Sequence, residues 1–145
     1  MTDENGDGYQ RLAAWLPPLE RRALVLIDPP YEESRTDAQR AAGAATTAIA
    51  RLAGAVVAVW YPIKLAADAQ RWRTALVQRL ARPALVSELW LHPCDSRAGL
   101  NGSGLLVVNP PYLVAQAMRG WLALLQRLLA PSGRSHHSGH AVLEV

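Results

Sequence analysis

The sequence predicts an α/β fold in which strands and helices alternate around a mainly parallel sheet with one antiparallel strand. Three observations predict it. Continuous apolar runs at residues 23–27 (ALVLI) and 55–61 (AVVAVWY) have the composition of strands buried on both faces. The stretches that follow these runs repeat their apolar residues at helical spacing. The last two strand-like runs, 84–91 and 104–108, are joined by HPCDSRAGLNGS, which has no helical pattern. They therefore form a hairpin, and one strand is reversed.

In order, residues 8–16 (GYQRLAAWL) predict a short helix with Tyr9, Leu12 and Leu16 on one face, closed by Pro17 and Pro18. The strand at 23–27 sits between Arg21-Arg22 and Asp28. Thr36 and Gln39 make a capping-box pattern that opens an Ala-rich helix to about Arg51. The strand at 55–61 is stopped by Pro62. Leu65, Ala69, Trp72, Leu76 and Leu80 then mark a helix with Arg71, Arg73 and Arg79 interleaved. After the hairpin, Val114, Ala117, Trp121, Leu124 and Leu128 mark a last helix ended by Pro131 and Gly133. Residues 1–131 thus read as one partial domain, and 132–145 as a tail in which HAVLEV supplies a short edge strand.

A chain of 145 residues has room for one domain with a core. No apolar run approaches the roughly 18 residues needed to span a bilayer, so no membrane partner is expected. The opening MTDENGDGYQ is polar and acidic, unlike a secretory signal, and a cytoplasmic location is expected. Cys94 is the single cysteine, which excludes an intrachain disulfide. No Cys/His group has zinc spacing, and His136, His137 and His140 lie in a polar tail, so no metal is expected. The net charge of +3 fits a polyanionic partner, yet an Arg-rich, Lys-poor composition also follows from a GC-rich genome. Charge alone decides nothing.

The chemistry concentrates in LVLIDPPYEE and its partial echo LLVVNPPYLV, each an apolar run ended by an acidic or amide residue, two prolines and a tyrosine. An exocyclic adenine amine is a poor nucleophile because its lone pair is delocalised into the ring. Methylating it requires acceptors that hold its N–H bonds and aim the lone pair. A carboxylate and a neighbouring carbonyl on a proline-stiffened backbone supply them, and an aromatic ring beyond can stack on the base. Asp28, Pro29, Pro30 and Tyr31 offer those parts in that order, at the carboxyl end of a strand, where open α/β sheets bind ligands. The second copy ends the reversed strand, which puts residues 109–112 at the opposite edge and leaves Tyr112 as core or rim. The first copy is the expected catalytic site.

With these residues in hand, nearly the whole chain resembles the bacterial methyltransferases that make N6-methyladenine in 23S ribosomal RNA. DGYQRLAAWLPPLERRALVLIDPPYEE, AVWYPIK, SELWL, GLNGSGLLVVNPPY and SGHAVLEV carry the resemblance in order. It implies the C-terminal half of a Rossmann-like class I methyltransferase domain, S-adenosylmethionine as methyl donor without a metal, and 23S ribosomal RNA as partner. It further implies that Asp7 and Gly8 contact the cofactor, that Asp28 borders it and accepts the proton, and that residues 109–112 are not catalytic.

A methyltransferase of this kind needs a strand and a Gly-rich turn ahead of the run at 23–27, and neither is legible there. The expectation is a truncated chain whose cofactor-binding N-terminal half is absent. Tyr61 and Lys64, with Trp60, end the second strand on the ligand edge. Asn101 and Ser103 lie in the glycine-bearing hairpin on that same edge, and these four are candidate substrate contacts. Two alternatives stay open. One is a non-catalytic remnant that binds RNA at most; the other is a fragment of a DNA adenine-N6 methyltransferase, since Asp-Pro-Pro-Tyr serves both nucleic acids.

Overall fold

A computed structural model describes residues 5–31, 34–93, 95–96, 99–130 and 138–145. Its elements run α1 (Gly8–Trp15), β1 (Leu24–Ile27), α2 (Ser34–Arg51), β2 (Val56–Ile63), α3 (Ala66–Leu80), β3 (Ala84–Trp90), β4 (Gly102–Val108), α4 (Val114–Leu129) and β5 (Gly139–Glu144). The five strands form one sheet in the order β1-β2-β4-β3-β5.

β1 pairs with β2 in parallel, Leu24 opposite Val56 and Ile27 opposite Val59. β4 lies between β2 and β3 and is antiparallel to both, and β5 is antiparallel to β3. The expected mainly parallel sheet is therefore corrected to a mixed one. β1, β2 and β3 do point the same way, but the short connection after β3 lets β4 fold straight back between it and β2. The edge strand expected in HAVLEV is present as β5.

Period-2 alternation sends each strand's residues to two faces. On one face Ile27, Val57, Val59, Ile63, Val86, Leu106 and Val108 pack with Ala41, Ala45 and Ala48 of α2 and Leu76 of α3. Small alanines let α2 lie close to the sheet. On the other face Ala58, Leu85 and Val107 pack with Val114, Ala115 and Met118 of α4. A polar network crosses the first face. The Tyr61 hydroxyl donates to Glu88 Oε1 at 2.7 Å, and the Arg73 guanidinium donates to the same oxygen. Gly104, opposite Tyr61, makes the network possible, because a Cβ there would stand 2.1 Å from the Tyr61 ring.

Three local expectations change. Pro62 does not stop β2, which runs to Ile63; β1 pairing ends at Val59, so beyond it β2 has only β4 beside it and the missing N–H breaks no second ladder. α2 opens at Ser34, which puts Thr36 inside the helix rather than at its cap. Of the α4 stripe read from the sequence, Val114 packs on the sheet but Trp121, Leu124 and Leu128 are exposed; Ala115 and Met118 pack beside Val114, and Leu122 is buried. Cys94, Pro131, Gly133, His136 and His137 lie outside the described residues.

Candidate active site

The carboxyl ends of β1, β2 and β3 meet at one edge of the sheet. Asp28 leaves β1 exposed there, Pro29 is buried behind it, and Tyr31 reverses the backbone with φ of 54°. A positive φ is strained for a tyrosine, and the surroundings hold it. The Tyr31 hydroxyl donates to the Trp60 carbonyl at 2.8 Å, and the two rings meet edge-on with centroids 5.5 Å apart. The ring is only 6% exposed. This differs from the open stacking surface expected of Tyr31, because β2 outruns β1 and offers the Trp60 carbonyl and ring to it. Burial, with smaller contributions from the charges of Tyr9, Asp37 and Asp28, pushes the Tyr31 hydroxyl far above its usual pKa and keeps it neutral.

Asp28, Pro29 and Pro30 line a cavity of about 620 Å³ together with Asp7, Gly8, Tyr9 and Arg40. Residues from the loop before α1, from α2 and from the end of β1 thus converge on one space. Asp7 is held by two contacts: Oδ1 accepts from the Tyr9 backbone N–H at 2.9 Å, which caps α1, and Oδ2 accepts from Arg40 at 3.2 Å. The Arg40 guanidinium also lies 4.5 Å above the Tyr9 ring. Arg40 had no signal in the sequence, where it is one of several arginines on an exposed helix flank. Leu24 to Ile27 form the cavity's apolar wall.

Tyr31 faces a second cavity of about 590 Å³, lined also by Arg35, Tyr61, Lys64, Arg71 and Trp72. The tetrapeptide is thus the partition between two cavities. Tyr61, expected as a substrate contact, is 2% exposed, and its hydroxyl is engaged with Glu88. Asn101 does reach this edge, but it is 3% exposed and works as a pin. Its Nδ2 donates to the carbonyls of Lys64 at 2.6 Å and Ser96 at 2.7 Å, and its backbone N–H donates to Ile63 at 2.9 Å. Ser103 sits in β4 between Pro62 and Leu89. Lys64 is exposed.

The second copy lies at the other edge, beside the starts of β2 and β3. Asn109 has φ of 51°, and its Nδ2 donates to the carbonyls of Ala53 and Ala55 at 2.9 Å each. Tyr112, expected as core or rim, is 92% exposed, because the turn into α4 carries it away from the sheet. Among the described residues no group of three His, Cys, Asp or Glu could hold a metal ion, and no helix is long and apolar enough to cross a membrane. His140 donates from Nδ1 to Gln126 Oε1 at 2.6 Å.

Comparison with known proteins was consistent across sequence and structure. Residues 1–141 match the family model described as "Ribosomal RNA large subunit methyltransferase D, RlmJ". Over 133 residues, 92% of this chain, the sequence is 39% identical to ribosomal RNA large subunit methyltransferase J of Escherichia coli (strain K12) and 37% identical to its namesake from Haemophilus influenzae. The match covers 47% of each of these relatives, so the chain spans about half their length. The crystal structure of protein LPL1258 from Legionella pneumophila superposes with a TM-score of 0.76 at 26% identity, over 95% of this chain and 49% of that one.

Proposed function

This chain belongs to the family of ribosomal RNA large subunit methyltransferases whose model it matches, and from that membership we propose that it carries the catalytic edge of an adenine-N6 methyltransferase acting in the cytoplasm on 23S ribosomal RNA. The observation that carries the reading is the meeting of Asp7, Gly8 and Asp28 in one cavity, with the carboxylate of Asp28 exposed at the carboxyl end of β1.

The cavity is in the size range of small-molecule sites, and Gly8 leaves open space where a side chain would stand. These residues fit one wall of an S-adenosylmethionine site: Asp7, Gly8 and Asp28 supply its polar groups, and Leu24 to Ile27 its apolar side. When bound, that cofactor supplies a methyl group made electrophilic by its sulfonium. The chain's own part is to prepare the nucleophile. Asp28 accepts an N–H of the adenine amine and takes the proton released as the N–C bond forms, while Pro29 and Pro30 keep the backbone from shifting. Tyr31, tied to Trp60, holds the turn in its strained conformation, which makes it a positioning residue. The half-length match suggests that a further polypeptide region, like the part of the relatives outside the match, completes the cofactor site along β1.

The test is methyl transfer to naked 23S ribosomal RNA, with the chain supplemented by the rest of a relative. Asp28→Ala should lower the rate by about a few hundredfold, the effect of losing one preorganised contact of about 3–4 kcal/mol. Asn109→Ala should leave turnover per folded molecule nearly unchanged. A silent Asn109→Ala beside an active Asp28→Ala would refute the assignment.

A further inference from the structure

The second cavity shares no lining residue with the first, yet the tetrapeptide walls both, through Asp28, Pro29 and Pro30 on one side and Tyr31 on the other. Its described lining carries three cations, Arg35, Lys64 and Arg71, against one carboxylate, Asp68, which Arg71 already contacts. The cations come from separate places, Arg35 from the first turn of α2, Lys64 from the junction of β2 and α3, and Arg71 from within α3. They surround a floor of Tyr31, Tyr61 and Trp72, with Tyr61 and Trp72 rings 5.2 Å apart. Tyr31 and Tyr61 are buried and their hydroxyls donate to Trp60 and Glu88, so the floor offers apolar surface rather than a stacking slot. Trp72 is half-buried and its Nε1 donates to the Ala38 carbonyl at 3.3 Å.

Cations around an apolar floor, next to a carboxylate that would act on a base, suit a phosphodiester strand, whose phosphates meet Arg and Lys while a ribose packs against aromatic edges. Resting on the RNA-methylating reading above, we propose that this second cavity is a subsite for the ribose-phosphate backbone of single-stranded RNA flanking the target base, with Arg35 and Lys64 as its phosphate contacts. The strand would pass from this cavity over Tyr31 to Asp28.

The experiment is fluorescence anisotropy of a labelled single-stranded RNA oligonucleotide with this chain, titrated at several salt concentrations. Arg35→Glu and Lys64→Glu should each weaken binding about fivefold or more, and each should lower the slope of log affinity against log salt by about one. Lys64→Gln should show the smaller loss of a neutralised contact. Arg79→Glu, at the far end of α3, should stay within about twofold, and inorganic phosphate at matched ionic strength should not displace the RNA. Circular dichroism confirms that each variant folds. Equal affinity for the cavity variants, an equal loss in Arg79→Glu, displacement by phosphate, or no RNA binding by the unaltered chain would each overturn the proposal. The methyl-transfer assay separates the two readings. If the cavity variants lose RNA while Asp28→Ala transfers normally, the subsite stands and the catalytic assignment falls. If Asp28→Ala is silent while the cavity variants bind and react normally, the reverse holds.

Discussion

Glu88 keeps a carboxylate on the sheet face covered by α2 and α3, and two donors make that tolerable. Burial works against the charge on Arg73, but the hydrogen bond and charge of Glu88 outweigh it, and the Arg73 pKa moves up. Arg73→Met would strand a buried carboxylate and should destabilise the chain by about 3 kcal/mol. Arg71→Met, which removes an exposed pair with Asp68, should cost less than about 0.5 kcal/mol. Urea unfolding of both variants checks the contrast. Tyr61 adds a pH signature. Burial, then the charge and hydrogen bond of Glu88, raise its pKa far above the ordinary value, as burial does for Tyr31. Both pKa values are raised on folding, so the stabilisation is complete below about pH 10. Above it the unfolded chain releases protons that the folded chain keeps, and stability should fall by about 1.4 kcal/mol per pH unit for each tyrosine. Urea midpoints that stay flat from pH 9 to 11 would contradict this. At this scale the sequence placed Asp28 at the carboxyl end of a strand, where it stands, but did not show the partners of Tyr31 and Tyr61. A tyrosine after a proline pair reads the same whether its ring is open or anchored, and Trp60 and Glu88 are brought to these rings only by strand register.

Among the described residues, Asn101 pins the connection from β3 to β4. Asn101 joins the end of β2 to the loop through the Lys64 and Ser96 carbonyls, and its own carbonyl accepts from Leu91 and His92. Asn101→Ala should cost about 1–3 kcal/mol, because it removes two part-buried hydrogen bonds made by a buried side chain. Amide exchange should quicken around residues 91–101 while β1 is unaffected, and uniform quickening across the sheet would show that the pin is not local. Element by element, legibility followed how one-sided the pattern was. α3 alternates arginines with its apolar stripe, of which Ala69, Leu76 and Leu80 are buried and Leu65 and Trp72 half-buried. α4 carries a broad apolar arc with Gln116, Arg119, Gln126 and Arg127 opposite it, so periodicity found a helix but not which part of that arc met the sheet. The reversed β4 was readable from the length of its connection. Its insertion between β2 and β3 was not, because strand order depends on contacts between distant residues.

Taken whole, the molecule leaves apolar surface bare on the side of the sheet where α4 packs. β1 is an edge strand, and Leu24 and Leu26 are 72% and 67% exposed on it. Trp121, Leu125 and Leu128 are exposed along α4. In the sequence the run at 23–27 reads as a buried strand. The face carrying Val25 and Ile27 does pack against the core, while the other face and the open edge do not. An unpaired, apolar edge is a template for further strand pairing. If the region that would complete the domain normally covers it, this chain alone should self-associate through β1. Sedimentation velocity over a range of concentrations should then show species heavier than the 15.8 kDa monomer. Replacing Leu24 and Leu26 together by lysine puts charge on that edge without touching Val25 or Ile27, and it should shift the population toward monomer with little change in urea midpoint. The same variant should also resist completion by the remaining half of a relative, because the face offered to both partners is the same. A sharply melting monomer at high protein concentration would mean that β1 is protected by the chain itself.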